Sequence, residues 1–327
     1  VRYRTLGNTG LELSVVGLGA WAIGGAGYAF GWGPQDDKDS IATIHAALDS
    51  GVNWIDTAPV YGLGRSEEIV GRAIAEAGAR PVVSSKCGLV WKPGTSKVRN
   101  ELSAESVRAE CEASLKRLGI ETIDIYHIHW PIPDDGIEEA WEAIAGLIEA
   151  GKVRFGAVSN FSRSQLERVE MLHPVSALQP PYSMLERSIE NEQLPYCLER
   201  GIGVLSYSPM QNGLLSGKVT PQWVASLPKS DWRKRNRQFT SPVLEANLEL
   251  VGRLGALARE LGATPAQLAV AWVLSNPAVT AAIVGARRPD QITETVAAAG
   301  LELSDETLRQ LAEMIADRDA AAESMGS

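Results

Sequence analysis

Eight short apolar runs recur along this chain, each followed by a stretch with helical periodicity, and that alternation limits the fold more than any single motif. The runs are Val15 to Leu18, then residues 52–55, 82–86, 123–128, 153–158, 175–179, 202–206 and 281–284. The helical stretches run from about Asp39 to Ser50, Ser66 to Ala77 and Ser103 to Leu118, then over 136–150, 163–171, 189–200, 242–275 and 290–299. Ser103 and Ser106 offer cap chemistry to the third helix, and Gly51 stops the first. Eight such pairs in 327 residues indicate an α/β fold, a (β/α)8 TIM barrel whose site lies at the carboxyl ends of the strands. An N-terminal segment precedes the barrel, Ser304 to about Asp317 reads as an extra C-terminal helix, and Ala320 to Ser327 as a frayed tail. One domain over residues 1–327 is expected.

Four proton-bearing residues fall in this frame. Asp56, Lys86 and His129 each stand where a run ends, and Tyr61 follows in the loop after Asp56. A phenol with an ordinary pKa near 10 is a weak acid at neutral pH. An ammonium beside it favours the phenolate, so Lys86 is expected to lower the pKa of Tyr61, with Asp56 holding Lys86 and neutral His129 orienting a carbonyl. The alternative is a buried Asp/Lys pair with an unrelated tyrosine and histidine. Spacing alone leaves both open.

Charge and composition exclude several classes. A net charge of -9 argues against non-specific nucleic-acid binding, which needs a basic footprint. Val1 to Gly7 lacks the apolar core of a signal peptide, and no run reaches the roughly 18 to 20 apolar residues of a membrane span, so a cytoplasmic enzyme is expected. Cys87, Cys111 and Cys197 are odd in number and widely spaced, which fits reduced thiols, with Cys87 packed against a helix. No His/Glu/Asp spacing suggests a metal. His127 shares strand parity with His129 and reads as a packed, hydrogen-bonded residue one layer deeper, while His45 and His173 carry no signal.

Gly17-Leu18-Gly19-Ala20-Trp21-Ala22 matches a dinucleotide fingerprint, but the glycines and aromatics at 23–34 replace the helix that must follow it. Arg233-Lys234-Arg235-Asn236-Arg237 is the one dense basic run. It reads first as a solvated loop and second as a lid over a cofactor.

The segment Asp56-Thr57-Ala58-Pro59-Val60-Tyr61-Gly62 closely resembles the signature of the aldo-keto reductase superfamily. So do Lys86, His129-Trp130-Pro131, Val158-Ser159-Asn160, Ser206-Tyr207-Ser208-Pro209 and Gly285 to Gln291, in the right order along nearly the whole chain. The resemblance implies a tetrad of Asp56, Tyr61, Lys86 and His129, hydride transfer from a nicotinamide, and Tyr61 as general acid. It also implies cofactor roles at Gly19, Ala20, Trp21 and Asp56. Ser159, Asn160 and Gln179 correspond to carboxamide ligands, and Tyr207 to the aromatic that stacks on the nicotinamide.

By the same resemblance, Ser208, Pro209, Met210, Gly213, Leu215 and Lys218 follow the pyrophosphate, and Arg287, Arg288, Gln291, Glu294 and Thr295 hold the adenosine end. The family often has Asn at the position of Thr295. Two arginines ahead of a helix N-terminus suit a 2′-phosphate, so NADPH is expected as cofactor. The substrate pocket is expected to be lined by Trp21, Tyr28, Phe30, Trp32, Trp91 and Trp130, suiting small aldehydes, ketones or sugars. Two rivals are a cofactor-binding regulatory subunit resembling the potassium-channel β-subunits and a Schiff-base aldolase using Lys86. The oligomeric state is not legible.

Overall fold

The computed structural model describes residues 1–28, 30–229 and 231–324. Eight parallel strands close into a barrel in sequential order. They are β1 (Val16–Gly19), β2 (Trp54–Asp56), β3 (Val82–Cys87), β4 (Ile123–Ile128), β5 (Val153–Ser159), β6 (Ala177–Gln179), β7 (Gly203–Tyr207) and β8 (Ala281–Gly285). β8 closes the barrel on β1 through Ile283 opposite Gly17 and Val284 opposite Leu18. The helices are α1 (Asp37–Asp49), α2 (Arg65–Ala77), α3 (Ala104–Leu118), α4 (Ile137–Glu149), α5 (Arg163–Glu170) and α6 (Gln193–Arg200). They continue with α7 (Pro221–Ser226), α8 (Val243–Glu260), α9 (Pro265–Ser275), α10 (Pro289–Val296) and α11 (Asp305–Ser324).

Alternation along each strand separates two cores. Ile55, Val83, Tyr126, Val158, Leu178, Val204 and Val284 face the helices. Trp54, Ile125, Ala157, Ala177, Leu205, Ala281 and Ile283 fill the barrel, with Leu6, Leu11 and Leu13 packed beneath them. Those three leucines come from the N-terminal hairpin pairing Tyr3–Thr5 with Glu12–Ser14. Trp54 fills much of the interior, which explains Gly17: a Cβ there would sit 2.1 Å from the indole. The first glycine of the fingerprint-like motif therefore serves packing, and a 3-10 turn at Ala22–Gly24 stands where a dinucleotide fold needs a helix.

Several boundaries depart from expectation. α1 starts at Asp37 because the Asp36 carboxylate accepts from the Lys38 and Asp39 amides. Ser103 makes no side-chain cap on α3; Glu139 of α4 accepts from the Ala104 amide at 2.8 Å instead. The tail reading fails for 320–324, since α11 runs to Ser324 and buries Ala322 against Val243 and Ala246 of α8. Residues 325–327 of that reading lie outside the described residues. A second hairpin, Leu89–Trp91 with Val98–Asn100, rises after β3 where no strand was foreseen. No described helix is long and apolar enough to cross a membrane.

Candidate active site

Parallel register places Asp56 and Lys86 on one side of the barrel mouth, and Tyr61 and His129 follow just beyond the ends of β2 and β4. Asp56 is opposite Ser84, and Lys86 is opposite His127, so Asp56, Ser84, Lys86 and His127 share the inner face. Lys86 Nζ donates to both Asp56 oxygens at 2.8 and 2.7 Å and to the Thr57 carbonyl at 2.9 Å. Asp56 Oδ1 also accepts from Ser84 Oγ at 2.9 Å and from Gln179 Nε2 at 2.8 Å. The ammonium lies 5.2 Å from the Tyr61 ring centroid, and the His129 ring meets Tyr61 edge-on at 5.9 Å. Tyr61 and His129 thus stand in one cluster with the Asp56–Lys86 ion pair.

Burial sets the protonation states. Tyr61 is raised well above the ordinary phenol range, first by burial and then by the charge of Asp56. The expected lowering by Lys86 is absent: the ammonium rests against the ring and is neutralised by Asp56. A phenol held protonated is still what proton donation requires. Lys86 is drawn down by burial, against the pull of Asp56. His129 falls well below its usual range through burial and the charge of Lys86, and is therefore neutral. His127 lies one layer deeper with Nδ1 3.3 Å from the Ser85 carbonyl, and its Nε2 has no partner among the described residues.

A cavity of about 1080 Å³ opens above these groups. Asp56, Tyr61 and His129 line it, as do Gly19, Trp21, Ser159, Asn160, Gln179 and Tyr207. The Tyr207 hydroxyl donates to Asn160 Oδ1 at 2.8 Å, and Asn160 Nδ2 donates to the His129 carbonyl at 2.9 Å, tying three strand ends together. Asn160 itself takes a left-handed φ of 64°. The cavity continues along Ser208, Pro209, Met210, Gly213 and Lys218 to Arg287, Gln291, Glu294 and Thr295. Lys218 Nζ pairs with Glu294 at 2.9 Å.

Some sequence-based positions fall elsewhere. Lys86 does not line the cavity, its side chain is 1% exposed and its ammonium is taken up by Asp56 and the Thr57 carbonyl, which removes the accessible amine a Schiff base needs. Ala20 is buried, its amide donating to the Asp56 carbonyl, and Leu215 belongs to the core under α8. Arg288 lies outside the lining and pairs with Asp290 through two 3.0 Å contacts. Arg287 lines the cavity, but its guanidinium donates to Gln35 at 2.7 Å, to the Trp32 carbonyl at 3.1 Å and to the Pro34 carbonyl.

Trp91 is not among the lining residues either. It sits out along the hairpin, which contributes Leu89 and residues 96–100 instead. Those hairpin residues, with Val60 and Ile132, are cavity residues that the sequence reading does not include. For the hairpin, the turn-forming Pro93-Gly94 pair between Leu89-Val90-Trp91 and Val98 is the available sequence signal.

The solvated reading of the basic run also needs correction. Trp232–Arg235 forms a 3-10 turn in which Trp232 stacks on Trp21 at 5.6 Å and meets Trp32 at 5.8 Å. Arg233 is buried between Trp32 and Trp223, at 4.6 and 5.0 Å, and pairs with Asp231. Desolvated aromatic faces hold a guanidinium well, so this arginine packs while Lys234, Arg235 and Arg237 face solvent to differing degrees. The loop after β7 thus meets the loop after β1 across the end of β8.

A family model described as the aldo/keto reductase family matches residues 15–316. The chain belongs to the aldo/keto reductase family. The aldo-keto reductase YhdN of Bacillus subtilis is 40% identical over 318 residues, covering 95% of this chain and 92% of that protein. An NADH-specific methylglyoxal reductase of Escherichia coli is 36% identical, covering 94% of this chain and 97% of its own length. The glycerol dehydrogenase of Gluconobacter oxydans superimposes with a TM-score of 0.89 at 38% identity, over 97% of this chain and 95% of that one. Family membership makes the chain an oxidoreductase of a group that uses nicotinamide cofactors.

The aldo/keto reductase cavity has features that fit such a cofactor. Gly213 lines it with a φ of 90°, and a Cβ there would meet no protein atom within 4 Å, so backbone is bared where phosphate oxygens would need amides. Tyr207 presents a ring fixed by Asn160 as a flat wall above the strand ends.

Proposed function

We propose that this chain reduces aldehydes, ketones or sugar carbonyls to alcohols, or runs the reverse reaction, with NADPH as cofactor. The observation that carries the reading is one cavity joining Tyr61 and His129 to Gly213, Lys218, Arg287 and Gln291. The cofactor, when bound, supplies or accepts a hydride. Ser159, Asn160, Gln179 and Tyr207 would hold its nicotinamide end, and the residues from Ser208 to Lys218 its phosphates.

Tyr61 gives its phenolic proton to the carbonyl oxygen in reduction and takes it back in oxidation. Lys86 remains charged because Asp56 accepts from it through both oxygens. Neutral His129 offers a ring N–H to orient the carbonyl oxygen beside Tyr61. Trp21, Tyr28, Phe30, Trp32 and Trp130 wall the substrate end, which suits small carbonyls with an apolar face. The NADPH preference is supported by Arg287, which lines the adenosine end of the cavity, and by Arg288 at the N-cap of α10, where a 2′-phosphate would compete with Asp290 for its guanidinium. The chain acts as one domain, and its three buried free thiols suit a reducing, cytoplasmic setting.

A panel of aldehydes, ketones and aldoses followed by loss of NADPH absorbance tests this. Tyr61→Phe is expected to lower kcat roughly 10²- to 10⁴-fold with cofactor binding kept. Full activity in that variant would refute the proton-donor role, and cofactor binding without turnover of any carbonyl or alcohol would refute the enzyme.

A further inference from the structure

β3 ends at Cys87, the last residue paired with β4, and the chain turns through Gly88 into the hairpin of residues 89–100. That hairpin supplies Leu89, Val98 and Asn100 to the cavity wall. The turn beyond the ladder is held from outside the barrel. The Gly88 amide donates to both carboxylate oxygens of Glu110 on α3, at 3.0 and 3.2 Å, and the Ser106 hydroxyl steadies Glu110 Oε1 at 3.0 Å. The Gly88 carbonyl accepts from the Glu101 amide at 3.1 Å, closing the root of the hairpin. Gly88 has a φ of 93°, and a Cβ there would approach Leu102 to 2.8 Å, so the turn requires glycine at this position.

We propose that Glu110 is a positioning residue for the substrate wall: by holding Gly88 it fixes where the hairpin leaves β3, and so where Leu89, Val98 and Asn100 stand in the cavity. The proposal rests on the carbonyl-reducing reading of that cavity. It also makes substrate binding depend on pH. Burial pushes the Glu110 carboxyl up to about 7, against the pull of Ser106, the Gly88 and Leu89 amides and Arg117.

Facing Glu110 are Cys87 on β3, Tyr126 on β4 and Arg117 on its own helix, with Cys111 of that helix and Glu67 of α2 adjoining Tyr126. The two thiols and the phenol are pushed upward by burial and stay neutral, while Glu67 is paired with Arg117 at 2.6 Å. Charge near neutrality therefore changes at Glu110. Below pH 7 the protonated carboxyl keeps one good acceptor oxygen in place of two, and the hairpin root loosens.

Hydrogen exchange of residues 88–101 at pH 6 and pH 8, corrected for intrinsic rates, is compared between the wild-type chain and Glu110→Gln, with KM and kcat measured alongside. The wild-type hairpin is expected to exchange several-fold to roughly tenfold faster at pH 6, with KM raised in step and kcat changed little. In Glu110→Gln both pH responses should vanish. Equal protection of the wild-type hairpin at the two pH values, or a pH response that survives in Glu110→Gln, would overturn the proposal.

The exchange measurement needs no turnover, so it separates this proposal from the reductase reading, which fails only if no carbonyl or alcohol is turned over. Should Glu110→Gln not fold, Ser106→Ala serves. Removing a donor that favours the charged form should move the midpoint of the exchange profile to higher pH, and an unmoved midpoint would count against Glu110.

Discussion

Replacing Lys86 by methionine removes the ammonium but keeps an unbranched chain of similar length, and the cost follows from how little water reaches the pair. The Lys86 side chain is 1% exposed and that of Asp56 5%. Lys86→Met deletes three donor contacts of 2.7 to 2.9 Å, two to Asp56 and one to the Thr57 carbonyl. It also strands a buried carboxylate. Breaking such a pair costs about 3–5 kcal/mol. Ser84 and Gln179 still donate to Asp56 Oδ1, which places the expected loss near the lower end, about 3 kcal/mol.

The double variant Asp56→Asn with Lys86→Met carries no buried charge, and the amide oxygen still accepts from Ser84 and Gln179. It should therefore be more stable than Lys86→Met alone, with a coupling energy of about 2 kcal/mol. Urea unfolding followed by circular dichroism, extrapolated linearly to water, measures all four corners of the cycle. A loss below about 1 kcal/mol in Lys86→Met, or a double variant less stable than the single, would refute the reasoning from burial.

Asp290→Asn should free Arg288 from its 3.0 Å partner, lowering the KM for NADPH by about two- to fivefold, as befits a surface pair. NADH kinetics should not change, and equal effects on both cofactors would remove Arg288 from a 2′-phosphate role. Buried His127 has its pKa pushed down from 6.5 to about 4, mainly by desolvation. The folded protein keeps this ring neutral while the unfolded chain protonates below 6.5. Stability is therefore fully present above pH 6.5 and falls by about 3 kcal/mol as pH drops to 4. His127→Gln should flatten that part of the unfolding profile, and an unchanged slope would assign the acid sensitivity elsewhere.

The barrel was legible because burial on one face leaves a period in the sequence, and eight repeats of it leave few architectures. Asp56, Lys86 and His129 were legible for the same reason, since each is the residue at which an apolar run stops. Hydrogen-bonding habits near chain turns were less so. Ser103 was expected to cap α3, yet a carboxylate from α4 took that amide.

Trp91 and Trp232 show the limit most clearly. Both are aromatic residues outside the main barrel elements, and nothing local says that one is carried outward on a hairpin while the other stacks on Trp21. Ring closure decides it: pairing β8 with β1 brings the loops after β1, β7 and β8 together, and only then do Arg287 and Arg233 find their carbonyl and indole partners. By itself the sequence determined the strand and helix order and the strand-end chemistry, because these depend on which side of a local element is buried. Only the tertiary structure decided which loops roof the cavity and that Tyr61 stays protonated, because contact between distant loops and loss of water are properties of the closed barrel.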